Sequence, residues 1–203
     1  LSVLGIAVFL RVHGVYPTFF ESLRHAGFNV VSIATTTGFA SVDYAQWPIF
    51  APVLMLFLCC FATCAGSTGG GIKMVRALLL VKGARREFKR IVHPRAVVPV
   101  TLGGSVVDAN VLQSVLAFML IYGAVMIGAT MLLLFTGLDV VSAFTAVIAS
   151  INNTGPGLGQ VGPAANYQGL TDLQTWVCTV TMLLGRLELF SILVLFTGSF
   201  WRK

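Results

Sequence analysis

The fold of this chain is decided by two short polar stretches, ATTTGF at residues 34–39 and INNTGPG at residues 151–157. Each follows an apolar segment, and each contains a glycine that permits backbone angles other residues avoid. The two glycines, Gly38 and Gly155, are 117 positions apart (155 − 38 = 117). Both stretches are too polar to face lipid. Such a repeated segment has the chemistry of an ion selectivity filter, in which backbone carbonyls replace the water around a cation.

The composition is that of a membrane protein. Of the 203 residues, 57% are hydrophobic and 10% are charged, whereas soluble domains have about 25% charged residues. The net charge is +6, but eight of the thirteen Lys and Arg residues lie between Lys73 and Arg95. Clustering beside apolar spans is typical of cytoplasmic loops, so we expect no nucleic-acid binding. A partner-docking surface is the alternative interpretation of this cluster.

Apolar segments of different length indicate how the chain meets the bilayer, which a helix crosses with about 20 residues. Residues 111–136 contain no charge and predict one span, and residues 173–200 predict another. Residues 47–81 would form a helix of about 52 Å, longer than the roughly 30 Å hydrocarbon core. We expect a break at residues 67–71, STGGG, because consecutive glycines hold a helix poorly. Residues 1–12 resemble the end of a truncated span, and we expect the N-terminal part of the protein to be missing.

Two further apolar segments, residues 19–34 and 139–150, are too short to cross. Each ends at one of the polar stretches, which predicts two re-entrant pore helices. Asp139 is suited to cap the second pore helix. If residues 139–159 return to the side where they began, Arg202 and Lys203 lie in the cytoplasm, as the positive-inside rule prefers.

Ion coordination is the function that the polar stretches favour. Residues 35–38 and 152–155 can line a pore with carbonyl and hydroxyl oxygens, and non-helical backbone at membrane depth is tolerated around such a cavity. The alternative is that small polar residues merely pack helices together.

Arg186 is the costliest residue of the chain to place in an apolar span, because such charges normally face an interior or water. It lies 31 residues after Gly155, and Gly69 lies 31 residues after Gly38. If the repeats align without gaps, Arg186 and Gly69 share one depth below the filter, where a fixed charge and a mobile loop would obstruct cations. The alternative is a structural ion pair with another helix.

No catalytic site is visible in the sequence. The four cysteines lie in apolar segments, where buried free thiols are expected rather than a disulfide or metal site. They are Cys59, Cys60, Cys64 and Cys178. The glycine-rich residues 66–73 lack the Gly-Lys-Ser/Thr order of a phosphate loop. We therefore expect neither an enzyme nor a cofactor.

The chain resembles the Trk–Ktr–HKT superfamily of potassium transporters over essentially its whole length. The matching features are the two filter stretches, the GSTGGGIK loop at residues 66–73 with its basic continuation, and GRLE at residues 185–188. Their combination is specific to that superfamily, whereas a lone Thr-x-Gly would not be.

The resemblance implies an all-α membrane protein built from helix–pore helix–filter–helix repeats, as in K+ channels. This chain would be a fragment of a four-repeat pore: residues 1–83 the third repeat, 84–110 a basic cytoplasmic linker and 111–203 the fourth repeat. The potassium-coordinating positions would be Thr36, Thr37, Asn153 and Thr154, with Gly38 and Gly155 as the filter glycines. The gate below the filter would consist of Gly69, Gly70, Gly71 and Arg186.

The resemblance further implies potassium uptake across the bacterial inner membrane by a multi-pass protein, with K+ as the transported ion. Family members form homodimers and bind a cytosolic nucleotide-binding regulatory subunit, and residues 82–95 would lie near it. Two alternatives stay open. One is a potassium-channel-like subunit of an ATP-driven potassium pump, and the other is a non-conducting membrane subunit.

Overall fold

The structure, a computed structural model, describes residues 1–61 and 70–187. Gly69, Cys64, Glu188 and the predicted end of the last span lie outside the described residues. The described part contains seven α-helices and one β-hairpin. The helices are α1 (Ser2–Val12), α2 (Phe19–Ala34), α3 (Phe50–Phe61), α4 (Met74–Val92), α5 (Ala109–Phe135), α6 (Val140–Ile151) and α7 (Asp172–Arg186). The antiparallel strands are β1 (Thr101–Leu102) and β2 (Ser105–Val106).

Of the two repeats in this chain, the first consists of α1, α2 and α3. Its middle segment, α2 with the polar stretch, starts and finishes at the same end of the repeat. Thr18 caps α2, its hydroxyl accepting a hydrogen bond from the Glu21 N–H at 3.2 Å. Trp47 donates its Nε1–H to the Tyr16 hydroxyl at 3.2 Å. Because Tyr16 follows α1 and Trp47 precedes α3, α2 and the polar stretch together form a re-entrant segment. The buried core between the three helices includes Ile6, Leu10, Ile33 and Met55.

The second repeat consists of α5, α6 and α7 and has the same plan. Asp139 caps α6, its carboxylate accepting a hydrogen bond from the Ser142 N–H at 3.0 Å. Gln174, in the first turn of α7, donates its Nε2–H to the Thr136 hydroxyl at 3.0 Å. Thr136 ends α5, so the end of α5 and the start of α7 lie together. The intervening residues are therefore re-entrant, as the sequence predicted.

α5 is the one helix of the described part that is long and apolar enough to cross a membrane. Its 27 residues correspond to about 40 Å. α1, α3 and α6 are apolar but shorter. A helix at the predicted span, residues 111–136, is thus confirmed to within two residues at each end.

The predicted interruption of the long apolar segment 47–81 is present. α3 is described as far as Phe61, and α4 begins at Met74; residues 67–69 of the predicted break lie outside the described residues. Residues 70–73 are not helical, and the Ile72 N–H donates to the Cys60 carbonyl at 3.1 Å. This hydrogen bond holds the start of the second part of the segment against the end of the first.

The basic region contains more regular structure than a linker. α4 continues through Val92, with Lys89 and Arg90 in its last turn, where cations favour a helix end. Gly83 brings α4 close to α5, since an added methyl would lie 3.2 Å from Leu112. The hairpin turns at Gly103 and Gly104, with φ angles of 58° and 88°. The boundaries at 83/84 and 110/111 stay predictions.

Candidate ion pathway

The two stretches predicted to be selectivity filters, residues 34–39 and 151–157, adopt the same backbone conformation and are called the first and second filter below. Thr36 and Asn153, 117 positions apart, have φ angles of 55° and 54° and are the only non-glycine residues of the described part with positive φ. Gly38 and Gly155 have φ angles of 84° and 105°. A left-handed non-glycine residue costs about 1–2 kcal/mol, so the surrounding structure must hold each stretch in this shape.

Matching hydrogen bonds connect each pore helix to its filter. In both repeats, three successive N–H groups after the helix bend back to carbonyls of its last turn, at distances of 2.8–3.1 Å. Every donor and every acceptor keeps the offset of 117. The pairs are Thr35–Val31 with Asn152–Ile148, Thr36–Ile33 with Asn153–Ser150, and Thr37–Ser32 with Thr154–Ala149. The repeat is therefore present in the geometry, although the two sequences share few residues.

The two filters touch each other at Gly38. A methyl group added to Gly38 would collide with the Thr154 carbonyl oxygen and lie 3.3 Å from Pro156. Glycine is thus required here both for its positive φ and for space. Gly155 has a positive φ, but no described atom lies within 4 Å of an added methyl. Filters of successive repeats lie side by side, as the walls of a shared ion path would.

The side chains of the two filters have different surroundings. Thr37 is exposed, whereas its equivalent Thr154 is only 4% exposed. Thr35 is also exposed, and its hydroxyl donates to the Val31 carbonyl at 2.7 Å. Its equivalent Asn152 is fully buried. The second filter is therefore enclosed by this chain, and the first is open on one side.

Asn152 is the centre of that enclosure. Its Nδ2–H donates to the Ile148 carbonyl at 2.9 Å, and its Oδ1 accepts from the Tyr122 hydroxyl at 3.4 Å. A methyl group added to Gly71 would collide with the same Oδ1. Asn152 therefore joins α5, the pore helix and the break after α3 at one point.

The segments that leave the filters are held by side chains of the pore helices. In the first repeat, Asn29 is fully buried, and its Oδ1 accepts the Ser41 N–H at 3.1 Å. In the second, the Thr145 hydroxyl accepts the Leu158 N–H at 2.9 Å. Ser41 and Leu158 are again 117 positions apart. Each pore helix thus fixes both ends of its filter.

Tyr167 is specific to the second filter. Its hydroxyl donates to the Gly155 carbonyl at 2.7 Å. Burial raises the pKa of this phenol above its ordinary value, so it stays protonated and keeps its donor. The equivalent position of the first repeat is Phe50, which has no hydroxyl. No sequence pattern marks Tyr167, because it lies in an outer segment, 12 residues after the filter glycine.

The residues predicted to form the gate lie at the start of the second filter. Methyl groups added to Gly70 and Gly185 would both meet the carbonyl oxygen of Ile151, the last residue of α6. Arg186 follows Gly185 directly, ends α7 and is exposed. The broken segment and the end of α7 therefore meet at the same carbonyl. The predicted pairing of Gly69 with Arg186 includes Gly69, which lies outside the described residues.

Comparisons with known proteins identify the family. A family model described as TrkH, cation transport protein, matches residues 16–203. The chain belongs to this family. It is 45% identical over 194 residues to the Trk system potassium uptake protein TrkH of Salmonella typhimurium, covering 96% of this chain and 40% of that protein. It is 38% identical over 182 residues to the Trk system potassium uptake protein TrkG of Escherichia coli K12, covering 90% of this chain and 37% of that protein.

A solved structure has the same fold. The crystal structure of the potassium transporter TrkH from Vibrio parahaemolyticus matches with a TM-score of 0.91 and 44% identity, covering 98% of this chain and 42% of that one. The predicted superfamily and helical membrane fold are confirmed. The chain spans about 40% of the length of the curated relatives that it matches.

The roles of the individual residues in this member of the cation transport family stay predictions. The structure brings Thr36, Thr37, Asn153 and Thr154 into two adjoining, equivalent stretches. Among the described residues, no group of three or more His, Cys, Asp or Glu side chains could hold a metal ion. Cys59, Cys60 and Cys178 are buried free thiols, as predicted for them.

Proposed function

We propose that this chain supplies two quarters of the pore of a potassium uptake protein. The observation that carries the proposal is the pair of filters with one backbone conformation, 117 residues apart and in contact at Gly38. Backbone held in a strained conformation at equivalent points is expected where carbonyls must point at an ion. Mere helix packing requires no left-handed threonine or asparagine. The similarity to proteins named for potassium uptake supports K+ as the ion.

Potassium is coordinated, in this proposal, by the oxygens of Thr36, Thr37, Asn153 and Thr154. The Asn153 side chain donates its Nδ2–H to the Met182 carbonyl at 3.2 Å, which holds that side chain against α7. In this proposal Asn153 contributes its backbone carbonyl. The C-terminal ends of α2 and α6 carry partial negative charge beside the filters. This charge stabilises a cation that has lost its water.

The gate, in this proposal, is the broken segment with Gly69, Gly70 and Gly71, together with Arg186. Close contact of Gly70, Gly71 and Gly185 with residues 151 and 152 supports a gate at the inner end of the filter. Replacing Arg186 with Ala should raise K+ flux by roughly 3- to 10-fold, because a fixed positive charge opposes cation entry. Arg24→Ala, which removes an exposed arginine from the first pore helix, is the matched control. Equal flux in the Arg186 variant and the wild type would make Arg186 structural.

The proposal includes the assembly expected from the family. The complete protein is a multi-pass homodimer of the bacterial inner membrane, regulated by a cytosolic nucleotide-binding subunit. Support comes from the bacterial sources of the relatives and from the Trk system named for them. No catalytic step and no cofactor are part of the proposal.

The test is K+ and Na+ flux into proteoliposomes containing the protein from its complete reading frame. In the double variant Gly38→Ala/Gly155→Ala, the K+ flux or the preference for K+ over Na+ should fall at least tenfold. Gly128→Ala is the control, since an added methyl at Gly128 in α5 meets no described atom within 4 Å. Unchanged flux and preference in the double variant would refute the filter assignment.

A further inference from the structure

Four cations lie on one face of α4. Lys82, Arg85, Arg86 and Lys89 recur at intervals of three and four residues, which places them on the same side of a helix. Together with residues 98–101 they line a cavity of about 150 Å³. That volume is below the roughly 300–1,000 Å³ of pockets for drug-sized ligands. It suits a single small anionic group.

The charge of this cavity is largely uncompensated. Glu87, the one acidic residue between positions 74 and 107, contacts Arg86 at 2.8 Å and Arg90 at 3.7 Å. Lys82 donates to the Thr101 carbonyl at 2.7 Å, which fixes the wall opposite α4. Among the described residues, no carboxylate lies within ion-pair distance of Arg85 or Lys89. Their charge is available for an anion.

The cavity lies beside the N-terminal end of α5. α5 is the helix that can span the bilayer, and its first residue is Ala109. Gly83 of α4 packs against Leu112, one turn into α5. The cations that flank Gly83 are therefore close to the end of the span, where lipid headgroups are found.

Exposed apolar side chains accompany the cations on α4. Phe88, Ile91 and Val92 are 69%, 75% and 70% exposed. A helix that carries both basic residues and exposed large apolar residues is typical of the membrane interface. We propose that the cavity binds the phosphate of an anionic phospholipid headgroup, held by Lys82, Arg85, Arg86 and Lys89 against residues 98–101. Lipid, rather than free phosphate, is the source because the cavity lies near the end of the span and other faces of the same helix carry exposed apolar side chains.

The test is binding of phosphatidylglycerol to the protein from its complete reading frame, measured by native mass spectrometry and by thermal stability in mixed micelles. Phosphatidylcholine micelles and inorganic phosphate are the comparison probes. Arg85→Gln/Lys89→Gln removes two charges from the cavity. Arg90→Gln/Arg95→Gln removes two charges from the same region but outside the cavity, so it controls for diffuse attraction.

We expect the cavity variant to bind phosphatidylglycerol about 10- to 30-fold more weakly, and the control variant to change by less than threefold. Equal weakening in both variants would overturn the proposal, because the attraction would then be diffuse. Equal stabilisation by phosphatidylcholine would also overturn it, as would stabilisation by inorganic phosphate alone. Loss of regulatory-subunit binding with unchanged lipid binding would make the face a protein-docking surface instead.

Discussion

At the equivalent positions 35 and 152, the chain has an exposed threonine in the first filter and a fully buried asparagine in the second. The backbones on either side are nevertheless alike. Each has a left-handed residue at the next position, 36 or 153. A glycine with positive φ follows two residues after that, at 38 or 155. Filter conformation is therefore set locally, by the bonds to the last turn of the pore helix and by the glycine. The surroundings differ because α3, α5 and α7 enclose only the second filter.

Because of this difference, the two filters are held in place in different ways. In the second repeat the filter is fixed from behind by Asn152 and from outside by Tyr167. In the first repeat, whose filter is open on one side, the hydrogen bonds of the Thr35 hydroxyl within the described part of the chain are to its own segment. We propose that the open side faces the other repeats of the complete pore.

The largest effect is expected at the contact between the filters. Gly38→Ala adds both backbone strain and a collision with the Thr154 carbonyl, whereas Gly155→Ala adds strain alone. We expect Gly38→Ala to reduce K+ flux in proteoliposomes at least tenfold more than Gly155→Ala. Gly128→Ala should leave flux within twofold. Equal losses at Gly38 and Gly155 would mean that the filters do not touch in the working protein.

The next effect concerns stability and compares positions 152 and 35. Asn152→Ala leaves the Tyr122 hydroxyl without its acceptor and opens a cavity, which should cost about 2–4 kcal/mol. Thr35→Ala, at an exposed position, should cost less than about 1 kcal/mol. Thermal unfolding in detergent measures both. Similar shifts for the two variants would contradict the different enclosure of the filters.

A smaller effect is expected for the hydroxyl that only the second repeat has. Tyr167→Phe removes the hydrogen bond to the Gly155 carbonyl and makes the position resemble Phe50. Loss of one such bond, worth about 1 kcal/mol, should lower the preference for K+ over Na+ by roughly 3- to 5-fold. Tyr44→Phe is the control, because the buried Tyr44 hydroxyl has no hydrogen-bond partner among the described residues. Equal preference in Tyr167→Phe and wild type would show that Gly155 needs no support.

The smallest effect is a response to acid from the residue that caps the second pore helix. The hydrogen bond from the Ser142 N–H holds the pKa of Asp139 below its ordinary value. The carboxylate therefore adds stability above the ordinary Asp pKa of about 3.9, and this is lost as the pH falls through the lowered pKa. Thr18, the cap of the first pore helix, does not titrate in this range.

Asp139→Asn keeps a capping oxygen without the titration. The difference in melting temperature between wild type and this variant should therefore shrink as the pH falls below about 4. A difference that is constant from pH 7 to pH 3 would exclude Asp139 as the group responsible.

Much of this architecture could be predicted because it depends on local sequence. Lengths of apolar segments predicted the helices α2, α5 and α6, and the Thr–Gly pattern located the two stretches that share one backbone conformation. The bounds of α2 agree with prediction at both ends, and Asp139 is the cap of α6.

Other features depend on contacts between distant segments, which spacing does not encode. Asn152 is 30 residues from Tyr122 and 92 from Cys60, and neither pairing has a sequence signature. The hairpin is different, because Gly103-Gly104 between Leu102 and Ser105 is a recognisable turn signal. The basic composition around the hairpin nevertheless favours a linker, so composition alone does not predict these strands.

Ion density in the complete protein would show whether the two filters line one ion path. The measurement is a structure of the complete protein in Rb+ or Tl+, with the heavy cation located by its anomalous scattering. We predict cation density that contacts backbone oxygens of both residues 36–37 and residues 153–154. Density bound by one stretch alone, or by neither, would contradict the account.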